Sequence, residues 1–177
     1  PSINEKQLAI GESTFGGRDE LKSEEGLIDC QRLCMLMLQR AATAREAIRI
    51  AGELTAQYGW NDSGECLTIA DKNEVWHLEI VGPGEGKVGS VWAAQRVPDD
   101  HIAVNANAST IKQIDLDDPD HFMASDNIYD VARENRWWKE GEVFEFCNAY
   151  APEGRQSVAA RRREWRVFDL LAPSLEL

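Results

Sequence analysis

From Asp29 the apolar positions repeat with a helical period. Cys30, Leu33, Cys34, Met37, Leu38 and Ala41 fall at i, i+3, i+4, i+7, i+8 and i+11, which places them on one face. A second helix follows. Thr43-Ala44-Arg45-Glu46 has the form of a capping box, in which the hydroxyl accepts from a free backbone N–H and the carboxylate reaches back. Ala47, Ile50, Ala51, Leu54 and Tyr58 then line a stripe, and Gly59 supplies a stop.

Beyond Gly59 the period shortens to two. Leu67 and Ile69 alternate with polar neighbours, and after the turn Asp71-Lys72-Asn73 so do Trp76, Leu78 and Ile80. Gly82–Lys87 then leads to a strand over 90–96, and Pro98-Asp99-Asp100 to another over 102–107. This spacing predicts an antiparallel meander. A short strand is also expected from Leu8 to Gly11, followed by a polar, glycine-bearing loop over 15–26. Further helices are expected from Ser125 and over 158–171. Helices, then strands, then helices indicate an α+β layered domain rather than a βαβ sheet.

The length of 177 residues suits one domain with its own core. The longest uncharged apolar run, Leu33 to Leu38, falls far short of the ~20 residues that span a bilayer. The first residues, Pro1 to Lys6, lack the basic start and apolar run of a signal peptide. A formal charge of −12 argues against general nucleic-acid binding, because such a surface repels phosphate backbones. The four cysteines form no CxxC pair; Cys30 and Cys34 fall on a helix stripe and read as buried small hydrophobes. The compartment stays open between the cytoplasm and a secreted or periplasmic location.

Several segments invite a chemical reading. Gly82-Pro83-Gly84-Glu85-Gly86-Lys87 lacks the spacing of a phosphate loop, and Val88 stands where Ser or Thr would hold magnesium. It reads as a hairpin turn. His77 and Glu79 share a strand face, yet no third metal ligand is evident. The acidic run Asp115 to Asp120 lacks the glycine and spaced ligands of a calcium loop. Asn105 and Asn107 are expected at a strand end, where they cap turns or donate N–H groups to an oxyanion. Arg163 and Arg166 share a helix face and together suit a carboxylate, although solvated or ion-paired arginines account for the same pattern.

A resemblance adds to this reading. Asn4-Glu5-Lys6, Leu8 to Thr14, Glu25 to Ile28, Leu38 to Ile48, Ala70 to Trp76, Trp92 to Asp99, Asn105 to Asn107 and Arg162 to Arg166 look, in that order, like the dipeptidase A family of cysteine peptidases. The resemblance implies an N-terminal nucleophile hydrolase with a four-layer αββα sandwich, here incomplete. It also implies hydrolysis of dipeptides or small peptides without a metal or other cofactor. In such enzymes an N-terminal cysteine attacks the amide, its own α-amino group acts as base, and an acyl-enzyme forms. By the same resemblance, Asn107 matches an oxyanion-hole asparagine, and Arg166, or Arg163 if the register slips, an arginine near the nucleophile. Glu12, Ser13 and Thr14 lie where the superfamily lines its substrate pocket, and Asn105 joins them as a substrate-binding candidate.

The nucleophile itself departs from that pattern. The chain starts with Pro1, and none of Cys30, Cys34, Cys66 and Cys147 is N-terminal. The expectation is therefore a portion of a longer enzyme, inactive without a cysteine-bearing N-terminal segment. An exposed sheet edge in such a portion favours self-association into a homo-oligomer. Two alternatives stay open: hydrolysis of another linear amide, such as a conjugated bile acid or penicillin, and a non-catalytic domain that binds peptides or a partner.

Overall fold

The computed structural model describes residues 2–175; Pro1 lies outside them. Six strands form one antiparallel sheet in chain order: β1 (Ser2–Ile3), β2 (Ala9–Gly16), β3 (Gly64–Ala70), β4 (Val75–Val81), β5 (Val91–Val97) and β6 (Phe122–Ala124). The register follows the alternation in the sequence. Leu67 pairs with Leu78, Ile69 with Trp76 and Ile80 with Trp92, so the large apolar residues of neighbouring strands share one face.

That face is covered by α1 (Cys30–Arg40) and α2 (Ala44–Tyr58). Asp29 caps α1 by accepting from Arg32 N at 2.8 Å, and Cys30, Leu33 and Met37 are buried against the sheet. The capping box of α2 is displaced by one residue: Thr43 Oγ1 accepts from Glu46 N, whereas Glu46 Oε2 accepts from the Ala42 N–H rather than from Thr43. Ile48 is buried in place of Tyr58, which is 41% exposed. The expected stop holds, since Gly59 adopts φ 74° and its N–H reaches Thr55 O.

The opposite face carries a second core. Phe15, Cys66, Val81, Val91 and Ala93 pack against α3 (Ile128–Glu134), α4 (Phe146–Tyr150) and the segments around them. Tyr129, Trp137, Trp138, Phe144, Phe146 and Tyr150 form its cluster of edge-on and tilted aromatic rings. The C-terminal α5 (Val158–Leu171) is capped by Ser157, whose hydroxyl accepts from Ala160 N, and Ala160 is its buried residue.

The arrangement is α+β, as expected, with one sheet rather than two among the described residues. Three expectations fail locally. The strand predicted to stop at Gly11 continues to Gly16, through residues read as pocket lining and loop. Residues 102–107 are irregular, because the edge of β5 from Ala93 to Gln95 is already taken by β6. Asn105 and Asn107 thus lie in a loop and not at a strand end. Gly82–Lys87 does connect two strands, β4 and β5, and Gly82 is required there: a Cβ would lie 2.1 Å from Leu21 O. No helix among the described residues is long and apolar enough to cross a membrane.

Candidate active site

A buried carboxylate fixes the loop that carries the asparagines. Glu79, on β4, is fully buried and accepts from Ser109 Oγ at 2.5 Å, Thr110 N at 2.6 Å, Thr110 Oγ1 at 3.0 Å and Ile111 N at 3.3 Å. Burial pushes its carboxyl above the usual range, while these donors pull the other way. Four bonds to one side chain hold residues 109–111 on the sheet face. Asn105 tightens the turn before them, its Nδ2 donating to Ala108 O at 2.8 Å.

At the tip of this loop Asn107 adopts φ 60°, the left-handed region that Asn tolerates better than most residues. That backbone sends its groups in three directions. Its N–H donates to Ser13 Oγ at 3.1 Å, and its Nδ2 donates to Thr14 O at 2.7 Å. Its Oδ1 accepts from Arg163 Nη1 at 2.9 Å, while Arg163 Nη2 donates to Ala106 O at 2.8 Å. Because the guanidinium donates only, it fixes which end of the Asn107 amide is oxygen and turns the NH₂ towards β2. Asn107 and Arg163 are both solvent-exposed, so the site is open.

Four of the residues singled out by sequence therefore meet: Ser13, Thr14, Asn107 and Arg163. Arg166 does not join them. It lies three residues further along α5, on the surface, where its Nη1 pairs with Asp169 Oδ2 at 2.5 Å. Asn105 contributes to the loop turn.

Glu12 belongs to the other face of the sheet. Alternation along β2 separates it from Ser13 and brings it beside Cys30 of α1 and Glu65 of β3, with one ligand-type atom from each within 4.8 Å of the others. Thr14 faces both ways, for its hydroxyl donates to Glu65 Oε1 at 2.5 Å while its carbonyl takes Asn107. Burial pushes the Glu65 carboxyl up to about 7, against the pull of the Thr14 hydroxyl.

Sequence reasoning passed over Glu65 and the anchoring role of Glu79. The available signal was a carboxylate in a strand otherwise rich in buried residues, as in Trp76-His77-Leu78-Glu79-Ile80. Cys66 pairs with Ser13 across β2 and β3, but burial raises its thiol well above the ordinary value, which leaves it a poor nucleophile.

The chain is similar in sequence to known proteins. The chain is 34% identical over 139 residues to "Probable dipeptidase" of Latilactobacillus sakei, covering 75% of this chain and 28% of that protein. It is 36% identical over 94 residues to "Probable dipeptidase B" of Lactococcus lactis subsp. lactis (strain IL1403), covering 53% and 18% respectively. A "Probable dipeptidase B" of Streptococcus pyogenes serotype M1 is 27% identical over 118 residues, 66% of this chain and 22% of that protein. The matches thus span less than a third of these relatives' lengths. The family model "Peptidase family C69" matches residues 2–177, and the chain belongs to that family.

Proposed function

We propose that this chain forms part of a dipeptidase that cleaves the amide bond of small peptides through a cysteine acyl-enzyme. The observation that carries this reading is the Arg163–Asn107–Thr14 arrangement in a chain of peptidase family C69. An amide with its oxygen held by a cation presents N–H donors in a fixed direction, as oxyanion stabilisation requires. Thr14 O takes one Nδ2 hydrogen, and the other is assigned to the developing oxyanion. Ser13 and Arg163 act as positioning residues, one holding the Asn107 backbone and the other its side chain.

In this reading the attacking sulfur belongs to an N-terminal cysteine outside residues 1–177, with its α-amino group as base; that group's ordinary pKa, about 7.7–8.0, suits proton transfer near neutrality. The second sheet of an αββα sandwich is proposed to come from the same additional sequence. Residues 1–177 alone are then inactive. The open, polar surroundings of Asn107 favour a charged dipeptide over a bile-acid conjugate or a penicillin.

The test joins residues 1–177 to a family segment that begins with the cysteine and assays dipeptides alongside N-acyl amides. Alkylation-sensitive dipeptide hydrolysis is expected. Activity that survives replacement of that cysteine by alanine overturns the mechanism, and preference for N-acyl amides overturns the substrate class.

A further inference from the structure

On the helix-covered face, away from Asn107, Glu12, Cys30 and Glu65 bring a thiol and two carboxylates within 4.8 Å of one another. Three different elements supply them: β2, α1 and β3. Glu65 is only 3% exposed. One of its oxygens accepts from Thr14 Oγ1, and the other, Oε2, is buried without a hydrogen-bond partner among the described residues. A carboxylate placed this way lacks compensation for its lost hydration, and a neighbouring second carboxylate aggravates the deficit. A cation supplies it.

We propose that Glu12, Cys30 and Glu65 form a binding site for a divalent cation of the zinc type, with Cys34 as the fourth ligand. Cys34 follows Cys30 by four residues on α1, so the two thiols share a helix face. Both line a cavity of about 710 Å³, together with Glu12, which gives an ion a route from solvent. Mixed sulfur and carboxylate donors select a borderline ion. Calcium and magnesium take oxygen alone, whereas Zn²⁺ accepts both in tetrahedral sites. Bonds of about 2.0–2.3 Å put tetrahedral ligand atoms roughly 3.5 Å apart, so closure of Glu12, Cys30 and Glu65 requires movements of about 1 Å, and Cys34, outside that group of three, must turn in as well.

Binding forms Zn–S and Zn–O bonds, and the Cys30 and Cys34 protons leave to solvent, because the thiolate is the ligand. The Thr14 hydroxyl orients Glu65 from outside the ligand set, as supporting partners in metal sites do. The site does not depend on the peptidase reading, since it lies across the sheet from Asn107.

The test titrates the full chain, reduced and stripped with a chelator, with Zn²⁺ followed by calorimetry and with Co²⁺ followed by its thiolate charge-transfer absorption. One equivalent of metal and a sulfur-to-cobalt band are expected. Cys30→Ser should weaken the band, and Cys30→Ser combined with Cys34→Ser should abolish it. Glu12→Gln, at an exposed position, should weaken uptake more than the about 10–100-fold typical of losing a supporting partner. Thr14→Val should fall within that supporting range. Failure to take up either ion, or uptake without the sulfur band, overturns the proposal. So does uptake unchanged in Glu12→Gln. Where neither ion is taken up, the two carboxyls share a proton instead.

Discussion

Arg163 grips the loop of Asn107 at two points, the side-chain oxygen of Asn107 and the carbonyl of Ala106, across 56 and 57 positions of sequence. Its neighbour Arg166, three residues further on, spends its charge on Asp169 at the surface. The two arginines thus differ in kind although they share a helix face.

Arg163→Ala and Arg166→Ala should therefore separate cleanly. In the enzyme that contains this chain, Arg163→Ala releases the Asn107 amide and should lower kcat/KM for a dipeptide by about tenfold or more, the cost of one charge-assisted bond of 1.5–3 kcal/mol. Arg166→Ala removes an exposed ion pair worth about 0–1 kcal/mol and should leave both kcat/KM and the urea midpoint nearly unchanged. Steady-state kinetics and urea unfolding of both variants check this.

The backbone of Asn107 allows strain and chemistry to be told apart. Asn107→Gly keeps a residue that accepts φ 60° and removes the side chain. It should fold, losing about 1–3 kcal/mol with its two side-chain bonds, while kcat falls by about 10²–10³, the usual cost of an oxyanion donor. Asn107→Ala should lose the same activity and a further ~1 kcal/mol of stability, because alanine resists positive φ.

Glu79 should prove structural in origin and functional in effect. Glu79→Ala leaves its four donors without a partner in the interior and should cost on the order of 3 kcal/mol or more. Hydrogen exchange at Thr110 and Ile111 should accelerate more than exchange in α2, since the loop is what detaches. Equal acceleration throughout would contradict the anchoring role.

His77 sets an acid limit. The residue is 8% exposed, and burial depresses its pKa below 6.5. The folded state thus binds fewer protons than the unfolded state in the window between the depressed value and 6.5. The stability this group contributes is present above pH 6.5 and is lost as pH falls through the folded value. His77→Gln should flatten that part of the stability profile, measured by urea unfolding at a series of pH values, and leave the alkaline side unaltered.

How far the sequence spoke depends on the element. α1, α2 and α5 were legible from their helical periodicity, joined at α2 by the polar cap Thr43; the caps at Asp29 and Ser157 emerged only in the structure. β3, β4 and β5 followed from alternation. The end of β2 was not legible, since Glu12 and Thr14 are exposed polar residues where an apolar alternation was sought. Residues 102–107 alternate as a strand would, yet pairing depends on a free edge, and the three-residue β6 that takes the edge carries almost no pattern of its own. The choice between Arg163 and Arg166 also lay beyond sequence. One turn of α5 separates them, and only the position of the Asn107 loop decides which is reached.

The strand β2 is a wall shared by two rooms. Its consecutive side chains answer to unlike neighbours, so Glu12 and Ser13 are free to vary separately in evolution. Thr14 ties the two together, because its hydroxyl serves one room and its main-chain carbonyl the other. A sideways slip of the strand would disturb both at once.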